Sequence, residues 1–430
     1  MTSVLLGGFV GMMSLGVPLA VVIIGAGTLY IMFATDVPLS IVAQRLFAGM
    51  DDFTLMAIPL FVVAGFLMNE VGLTERLVTL ARLMLRRVYG GLAQVAVLVS
   101  MLFGGVSGAA SADLAAVGIT MIPQMERDGY KREFSTATIT TASLMGAVIP
   151  PSIPFIIYGV QSGTSIGKLF LAGIIPGIGI GIAVMITNYI LLKRSGFVTP
   201  KLTAEQDLKG KALVLSVRDA LIAILMPVVI IGGILGGVFT PTEAAAVAVL
   251  YALIVGVFVF RTLSIRKLIE VLRGSVIMTA VVMIIVVGSA VLNWALAYSQ
   301  LPQLVAQFML SITDNQTVFL LIVLVLLLII GMPLDPVPAI IIVTPVLLPA
   351  ALSFGVDPVH FGVVMVLALT LGLATPPVGA SLFVAMSISK VSMSRLSIAI
   401  IPFLVALLIL TIVVTLVPQT YNWIIPLLSG

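Results

Sequence analysis

The chain has 430 residues, of which 61% are hydrophobic and only 9% charged, whereas soluble domains carry roughly 25% charged residues. This excludes a soluble globular protein and points to a polytopic inner-membrane protein; the net charge of +4 needs no nucleic acid partner, because basic residues collect in cytoplasmic loops. The absence of cysteine excludes disulfides and thiolate metal sites, and with Arg45 the first basic residue the basic start of a signal peptide is missing.

Apolar stretches fall near 4–33, 55–69, 92–122, 135–160, 168–193, 219–238, 243–260, 276–298, 317–350, 361–387 and 397–417. An apolar span needs roughly 20 residues. The first stretch is too long for one upright span and contains Pro18, so it is tilted or broken. Residues 92–122 and 317–350 have Gly-rich or Pro-rich centres and one charged residue each, Asp113 and Asp335. Irregular backbone at membrane depth survives only under protein cover or beside a watery cavity. Both stretches are therefore read as re-entrant hairpins, with a kinked ordinary span as the alternative. The stretches 135–160 and 361–387 are read as helices broken at Pro150-Pro151 and Pro376-Pro377.

A shift of 226 residues superposes Pro123 on Pro349, Gly129 on Gly355, Gly146 on Gly372, Pro150-Pro151 on Pro376-Pro377 and Pro176 on Pro402. Composition alone predicts about one such coincidence. The two aspartates miss this register by a few residues. Five spans lie between the hairpins, an odd number, so the repeats are expected to be inverted about an axis in the membrane plane. With the basic residues from Arg76 to Arg132, from Lys193 to Arg218, from Arg261 to Arg273, and Lys390 and Arg395 all cytoplasmic, the spans alternate consistently. Hairpin one then opens from the cytoplasm and hairpin two from outside. The loops 36–52, 161–167, 299–316 and 355–360 and the C-terminus face outward, and the side of the N-terminus stays open. The expected divisions are 1–90 and 219–316 for two scaffold parts, 91–193 and 317–417 for two transport parts, 194–218 for a cytoplasmic linker and 418–430 for a tail.

Glycine and serine at Gly104–Asp113 allow a tight turn that exposes carbonyls and hydroxyls, and oxygen ligands suit hard cations. Pro151 and Pro154 remove donors opposite it, leaving carbonyls free near 146–150. Half-helix ends there offer a negative dipole to a cation and a positive one to an anion. Gly331–Asp335 facing Gly372, Thr375 and Pro376 repeats the device, so two cation sites are inferred. Tight helix crossing is an equally available role for the glycines and prolines. Asp113, ahead of a returning half-helix near Leu114, and Asp335, ahead of Ala339, suit either capping or ion ligation. Glu243 after Thr240-Pro241-Thr242 reads as a helix-start carboxylate, the glycines of 173–181 and 232–237 as packing surfaces, and His360 as a solvated residue of an outer loop.

The runs Gly104–Asp113, Met125–Tyr130, Val148–Pro154, Gly331–Asp335, Asp357–Gly362 and Thr375–Gly379 resemble the large membrane subunit of TRAP transporters over nearly the whole chain. The resemblance implies an all-α membrane protein of the ion transporter superfamily working as an elevator, a transport domain sliding on a scaffold. It implies sodium-driven uptake of an organic acid anion, with two partners: a small four-helix membrane subunit, expected as a separate chain, and a periplasmic substrate-binding protein. The sodium sites implied are Ser107, Gly108, Asp113, Gly146, Val148 and Pro150 for the first, and Gly331, Asp335, Gly372, Thr375 and Pro376 for the second. The substrate carboxylate is expected at half-helix N-termini with the hydroxyls of Ser107, Ser111 and Ser152. The rivals are a stand-alone carrier of the same superfamily and, with one histidine and no clustered carboxylates, a membrane-embedded enzyme.

Overall fold

The computed structural model describes residues 2–85, 88–197 and 211–428. Helices dominate, and no strand occurs among the described residues. A bilayer leaves the backbone no other partner than itself, which favours this outcome. Seven helices among the described residues are long and apolar enough to cross a membrane: Phe53–Glu70, Ile166–Arg194, Val217–Leu235, Pro241–Val259, Ile265–Tyr298, Pro336–Ser353 and Met393–Leu416. Their outer faces carry bare hydrocarbon such as Phe258, Ile265 and Ile398, as lipid contact requires.

The opening stretch is broken. Thr2–Ser14 and Leu19–Ala34 are separate helices, divided by Gly16 at φ +74° and by Pro18. They lie against each other, and Leu19–Ala34 also packs on Ile265–Tyr298. Two segments expected as outer loops contain helices, Ser40–Ala48 within 36–52 and Leu301–Ile312 within 299–316. Both are too short to cross a membrane. Leu301–Ile312 has Pro302 in its first turn and lies along Pro336–Ser353. Leu73–Leu85 takes the corresponding place before the first hairpin and lies along Gly91–Ser107. The segment expected as linker, 194–218, is shorter than its expected bounds, because a helix already runs from Lys211 to Leu235; residues 198–210, with Pro200, lie outside the described residues. Glu243 closes a capping box: its N–H donates to Thr240 Oγ1 at 3.3 Å, and Thr240 N–H donates to its carboxylate at 2.8 Å.

The two hairpins are formed as the punctuation predicts. Gly91–Ser107 and Ala110–Arg127 are the arms of the first, Gln316–Gly331 and Pro336–Ser353 those of the second. The returning arms sit 226 residues apart at both ends, 110 against 336 and 127 against 353. Gly108, at φ +64°, ends the first arm of hairpin one, a left-handed conformation that other residues adopt only with strain. Each hairpin is followed by a broken helix: Arg132–Ala142 with the tight turn Ser143–Ala147 and then Ile153–Ser162, and Pro358–Gly372 followed by Ala380–Ser389. The peptide bonds Pro150–Pro151 and Pro376–Pro377 are both cis.

The halves are interlaced. Ala110–Arg127 packs on Ala380–Ser389, and Pro336–Ser353 packs on Ile153–Ser162, so each returning arm rests on the other repeat's broken helix. Within each repeat the hairpin meets its own break through glycine. A Cβ on Gly104 would stand 3.1 Å from Gly146 Cα, and one on Gly372 would stand 2.7 Å from Gly331 Cα. Gly173 and Gly177 of Ile166–Arg194 admit Phe155 and Ile149 in the same way.

His360 is a correction. It is buried, 5% exposed, in the first turn of Pro358–Gly372 rather than solvated in a loop. Asp357 caps that helix, accepting from the N–H groups of Val359 and His360 at 2.9 and 3.0 Å. The imidazole turns toward the C-terminal tail. Its Nε2–H donates to Thr415 O at 3.1 Å, and because a carbonyl only accepts, Nδ1 is left to accept from the Tyr421 hydroxyl at 2.5 Å.

Two outcomes follow from this packing. Tyr421→Phe leaves His360 Nδ1 buried and unpaired, a cost of about 1–3 kcal/mol; it should lower the thermal midpoint in detergent and speed amide exchange over 419–428, and unchanged exchange would show that the tail is held by other contacts. Gly372→Ala forces a methyl into the Gly331 backbone and should destabilise by about 1–3 kcal/mol or more, whereas Gly232→Ala, where a Cβ meets nothing within 4 Å, should leave the thermal midpoint unchanged.

Candidate functional site

The first tip is a contact of main chain on main chain. A Cβ on Gly105 would stand 3.3 Å from Pro150 O, on Gly108 3.1 Å from Pro151 O, and on Gly146 3.0 Å from Ala109 O and 3.2 Å from Asp113 Cβ. The carbonyls of Ala109, Pro150 and Pro151 and the Cβ of Asp113 thus lie where the glycines leave no room for side chains. Asp113 is fully buried, and neither carboxylate oxygen has a hydrogen-bond partner. It does not cap the helix. The helix begins at Ala110, Ala109 holds the cap position without a side-chain bond, and Asp113 lies inside the first turn. A buried carboxylate without partners is costly unless a cation or proton accompanies it. A carboxylate and main-chain carbonyls are the oxygen ligands that hard cations take. Among the described residues no group of three His, Asp or Glu side chains gathers to hold a metal, so a cation at Asp113 would take its other ligands from carbonyls and hydroxyls.

The other residues expected at this tip divide. Ser107 lines a cavity, and its hydroxyl makes a long 3.4 Å contact with Ala109 O. Pro150 lends its carbonyl to the hairpin side, while Val148 O stands 2.7 Å from where a Cβ on Gly173 would be and so faces Ile166–Arg194. Ser152 is committed elsewhere. Its hydroxyl donates to Ala147 O at 2.5 Å and accepts from Phe155 N–H at 3.3 Å, capping Ile153–Ser162.

The second tip is differently furnished. Asp335 caps Pro336–Ser353, accepting from Val337 N–H at 3.2 Å, and its side chain is exposed on a cavity. Gly331 and Gly372 are interlocked. Thr375 Oγ1 donates to Leu371 O at 2.9 Å, and Thr375 N–H donates to Gly372 O at 2.9 Å. Two buried hydroxyls nearby in the chain, Thr370 and Ser381, have no partner, and neither had stood out among the many similar residues of the sequence. Pro376 is half-buried in the break.

Two adjoining cavities flank the tips. One of about 300 Å³ runs between hairpin one and Phe53–Glu70, past Asn69, Ser107, Ala112 and Ile119. One of about 270 Å³ lies between both tips, with Ser111 and Asp335 in its wall. They share Ala109, Ile153 and Met278. The far wall of the smaller cavity is Met278, Val281, Val282 and Ile285 of Ile265–Tyr298. Nothing in a long apolar helix marks these residues in advance.

Four half-helices begin around the tips, and their N–H groups are not equally available. At Ile153–Ser162, Ile153 N–H donates to Gly108 O, Phe155 N–H to Ser152 Oγ and Ile156 N–H to Ser152 O, while Pro154 has none. At Pro336–Ser353 two prolines lack the donor, and Val337 and Ala339 donate to Asp335. At Ala380–Ser389, Ala380 donates to Met332 O and Ser381 to Leu373 O. Only at Ala110–Arg127, among the described residues, do the N–H groups of the first turn, on Ala110, Ser111 and Ala112, meet no acceptor. This terminus lines both cavities. An open helix N-terminus is an anion receptor.

Comparisons with known proteins identify the family. Residues 6–420 match the family model of the tripartite ATP-independent periplasmic transporter, DctM component. The chain is similar to the sialic acid TRAP transporter large permease protein SiaM of Vibrio cholerae, 39% identical over 96% of this chain and 95% of that one. It is similar to the isethionate TRAP transporter permease protein DctMQ of Oleidesulfovibrio alaskensis, 39% identical over 96% of this chain and 65% of that one. It is also similar to the C4-dicarboxylate TRAP transporter large permease protein DctM of Pseudomonas aeruginosa, 36% identical over 93% of each. Among solved structures, the YdaH transporter of Alcanivorax borkumensis shares the fold with a TM-score of 0.68, at 14% identity and 90% coverage of both chains. A match along nearly the full length, to permeases and not to enzymes, settles the family: the chain belongs to the large membrane permease subunits of the TRAP transporters.

Proposed function

We propose that this permease is the membrane path of a sodium-driven uptake system for an organic acid anion. A periplasmic substrate-binding protein delivers the acid, and a small four-helix membrane subunit completes the complex. The relatives named above carry sialic acid, isethionate and C4-dicarboxylates, which are organic anions. The observation that carries the reading is the smaller cavity, where an open helix N-terminus lies beside Ser111, with Asp113 behind it and Asp335 across from it.

Sodium and the acid support each other at such a site. The ion accompanies the buried Asp113 carboxylate and cancels its charge, which lets the free N–H groups of Ala110, Ser111 and Ala112 attract the substrate carboxylate. A second ion at Gly331, Asp335, Gly372 and Thr375, with the orphan hydroxyls of Thr370 and Ser381 as further oxygen donors, cancels Asp335. Ser107 and Ser111 offer hydroxyls to substrate; Ser152 serves the helix instead.

Movement follows an elevator in this reading, with the repeats inverted. The broken helix from Arg132 to Ser162, Ile166–Arg194, Lys211–Leu235, Pro241–Val259 and Ile265–Tyr298 make an odd number of crossings between the hairpins, so hairpin two enters from the opposite face. The tips slide as a body along Ile265–Tyr298 and Phe53–Glu70. The apolar wall from Met278 to Ile285 supports such sliding, since hydrocarbon offers no bonds to break. The larger cavity runs along Ala112, Ala116 and Ile119 toward the base of hairpin one, the cytoplasmic side by charge, and serves as the release path.

Uptake into vesicles containing the permease, the small subunit and the binding protein should collapse when the sodium gradient is removed. Persistence of uptake without sodium would sink the coupling. Asp113→Asn removes a charged ion partner worth about 1.5–3 kcal/mol, so sodium-dependent uptake should fall about tenfold or more; unaltered sodium dependence would exclude Asp113 from coupling.

A further inference from the structure

We infer that the transported acid bears a single acidic group. This rests on the reading of the smaller cavity as the substrate site, and it concerns how much negative charge that cavity accepts.

The wall of the cavity includes Ser111 and Asp335 as its polar side chains and no lysine, arginine or histidine. The adjoining larger cavity has no such cation either. The charge count is therefore short. Asp113 and Asp335 bring two negative charges, and two co-transported sodium ions cancel them without surplus. The partial positive charge that remains is that of one helix N-terminus, at Ala110–Arg127, since the donors of the other three are bonded or replaced by proline. One receptor holds one carboxylate.

A second acidic group, a few ångströms away on the same molecule, has two places to go. It meets either the hydrocarbon of Met278, Val281, Val282 and Ile285, where a carboxylate loses its water without a partner, or the oxygens of Asp335, which are acceptors and offer it no donor. Groups that Asp335 accepts are donors, such as a hydroxyl or an amine. The far end of the cavity thus admits hydrocarbon or a hydrogen-bond donor and rejects a second acid. Asp335 determines specificity by its position and its acceptor oxygens, and acts on the substrate's distal end.

The test is binding to the permease with its small subunit in lipid nanodiscs in sodium, without the binding protein, whose own selectivity would intrude. The probes are pentanoate and 2-hydroxypentanoate against glutarate and 2-hydroxyglutarate. The monoacids should bind at least about tenfold tighter than the diacids of equal length. Met278→Lys, which places a cation in the far wall, should bring glutarate to within about threefold of pentanoate, and Val281→Lys, at a more exposed position, repeats the test should the first variant fail to fold. Glutarate binding as tightly as pentanoate to the unaltered protein overturns the inference and leaves sodium-coupled transport standing. A preference unmoved by either lysine also overturns it. Sodium-independent binding of every acid removes the underlying reading instead.

Discussion

Irregular backbone inside a bilayer has to be covered by other backbone, because lipid supplies neither donors nor acceptors. In this permease the cover is supplied by two glycine crossings. Gly331 and Gly372 lie so close that a single methyl would enter the main chain of the partner, and Gly104 and Gly146 repeat the contact with slightly more room. The crossings let a hairpin tip and a helix break satisfy and shield each other. They also explain why both devices occur together. A broken helix alone would expose its carbonyls to hydrocarbon, and a hairpin alone would expose its turn.

The interlaced packing extends the same constraint to the whole molecule. Each returning arm rests on the broken helix of the other repeat, so neither hairpin can move far without carrying both breaks. The tips, the breaks and the long helices Ile166–Arg194 and Met393–Leu416, which pack on each other, therefore form a unit in which the two tips and the cavity between them keep their mutual geometry. The contact between this unit and Ile265–Tyr298 is of another kind. Beside the cavity it is hydrocarbon; toward the end of the helix it holds a polar bridge, in which Asn293 donates to Gln161 Oε1 at 3.0 Å and Gln161 donates to Ser289 at 3.2 Å. Rigid connection within, sparse bonding across, is the distribution that motion of a domain as a body needs.

Much of this was legible in the sequence, for a physical reason. Glycine, proline and aspartate are rare where lipid surrounds a helix, so each one at membrane depth marks a break, a crossing or a covered pocket. The hairpins, the Pro-Pro breaks and the 226-residue register were read from such marks. What escaped carried no mark. Ser40–Ala48, Leu73–Leu85 and Leu301–Ile312 are shorter than a span and look like loops to a test of length. His360 sat beside an expected turn, and only the fold of the tail around it shows that its ring is buried against Tyr421. Met278, Val281, Val282 and Ile285 are ordinary residues of an apolar helix, and their place in a cavity wall depends on what packs opposite.

The aspartates looked like a failure of the repeat, yet the register explains them. Asp335 stands where the first repeat has Ala109, and Asp113 where the second has Ala339. Pro336 and Pro338 stand where the first repeat has Ala110 and Ala112. The second returning arm is thus closed to anions twice over, by prolines that lack the N–H and by a carboxylate that binds the donor left between them. The first arm has alanines in all three positions, keeps its donors free and buries its carboxylate one turn deeper. Two copies of one backbone device have diverged at three matched positions into an open end and a closed end. A symmetric pair of tips would offer a ligand two equivalent ends; in the site proposed above, this pair gives an anion a direction, acid group toward hairpin one and remainder toward hairpin two.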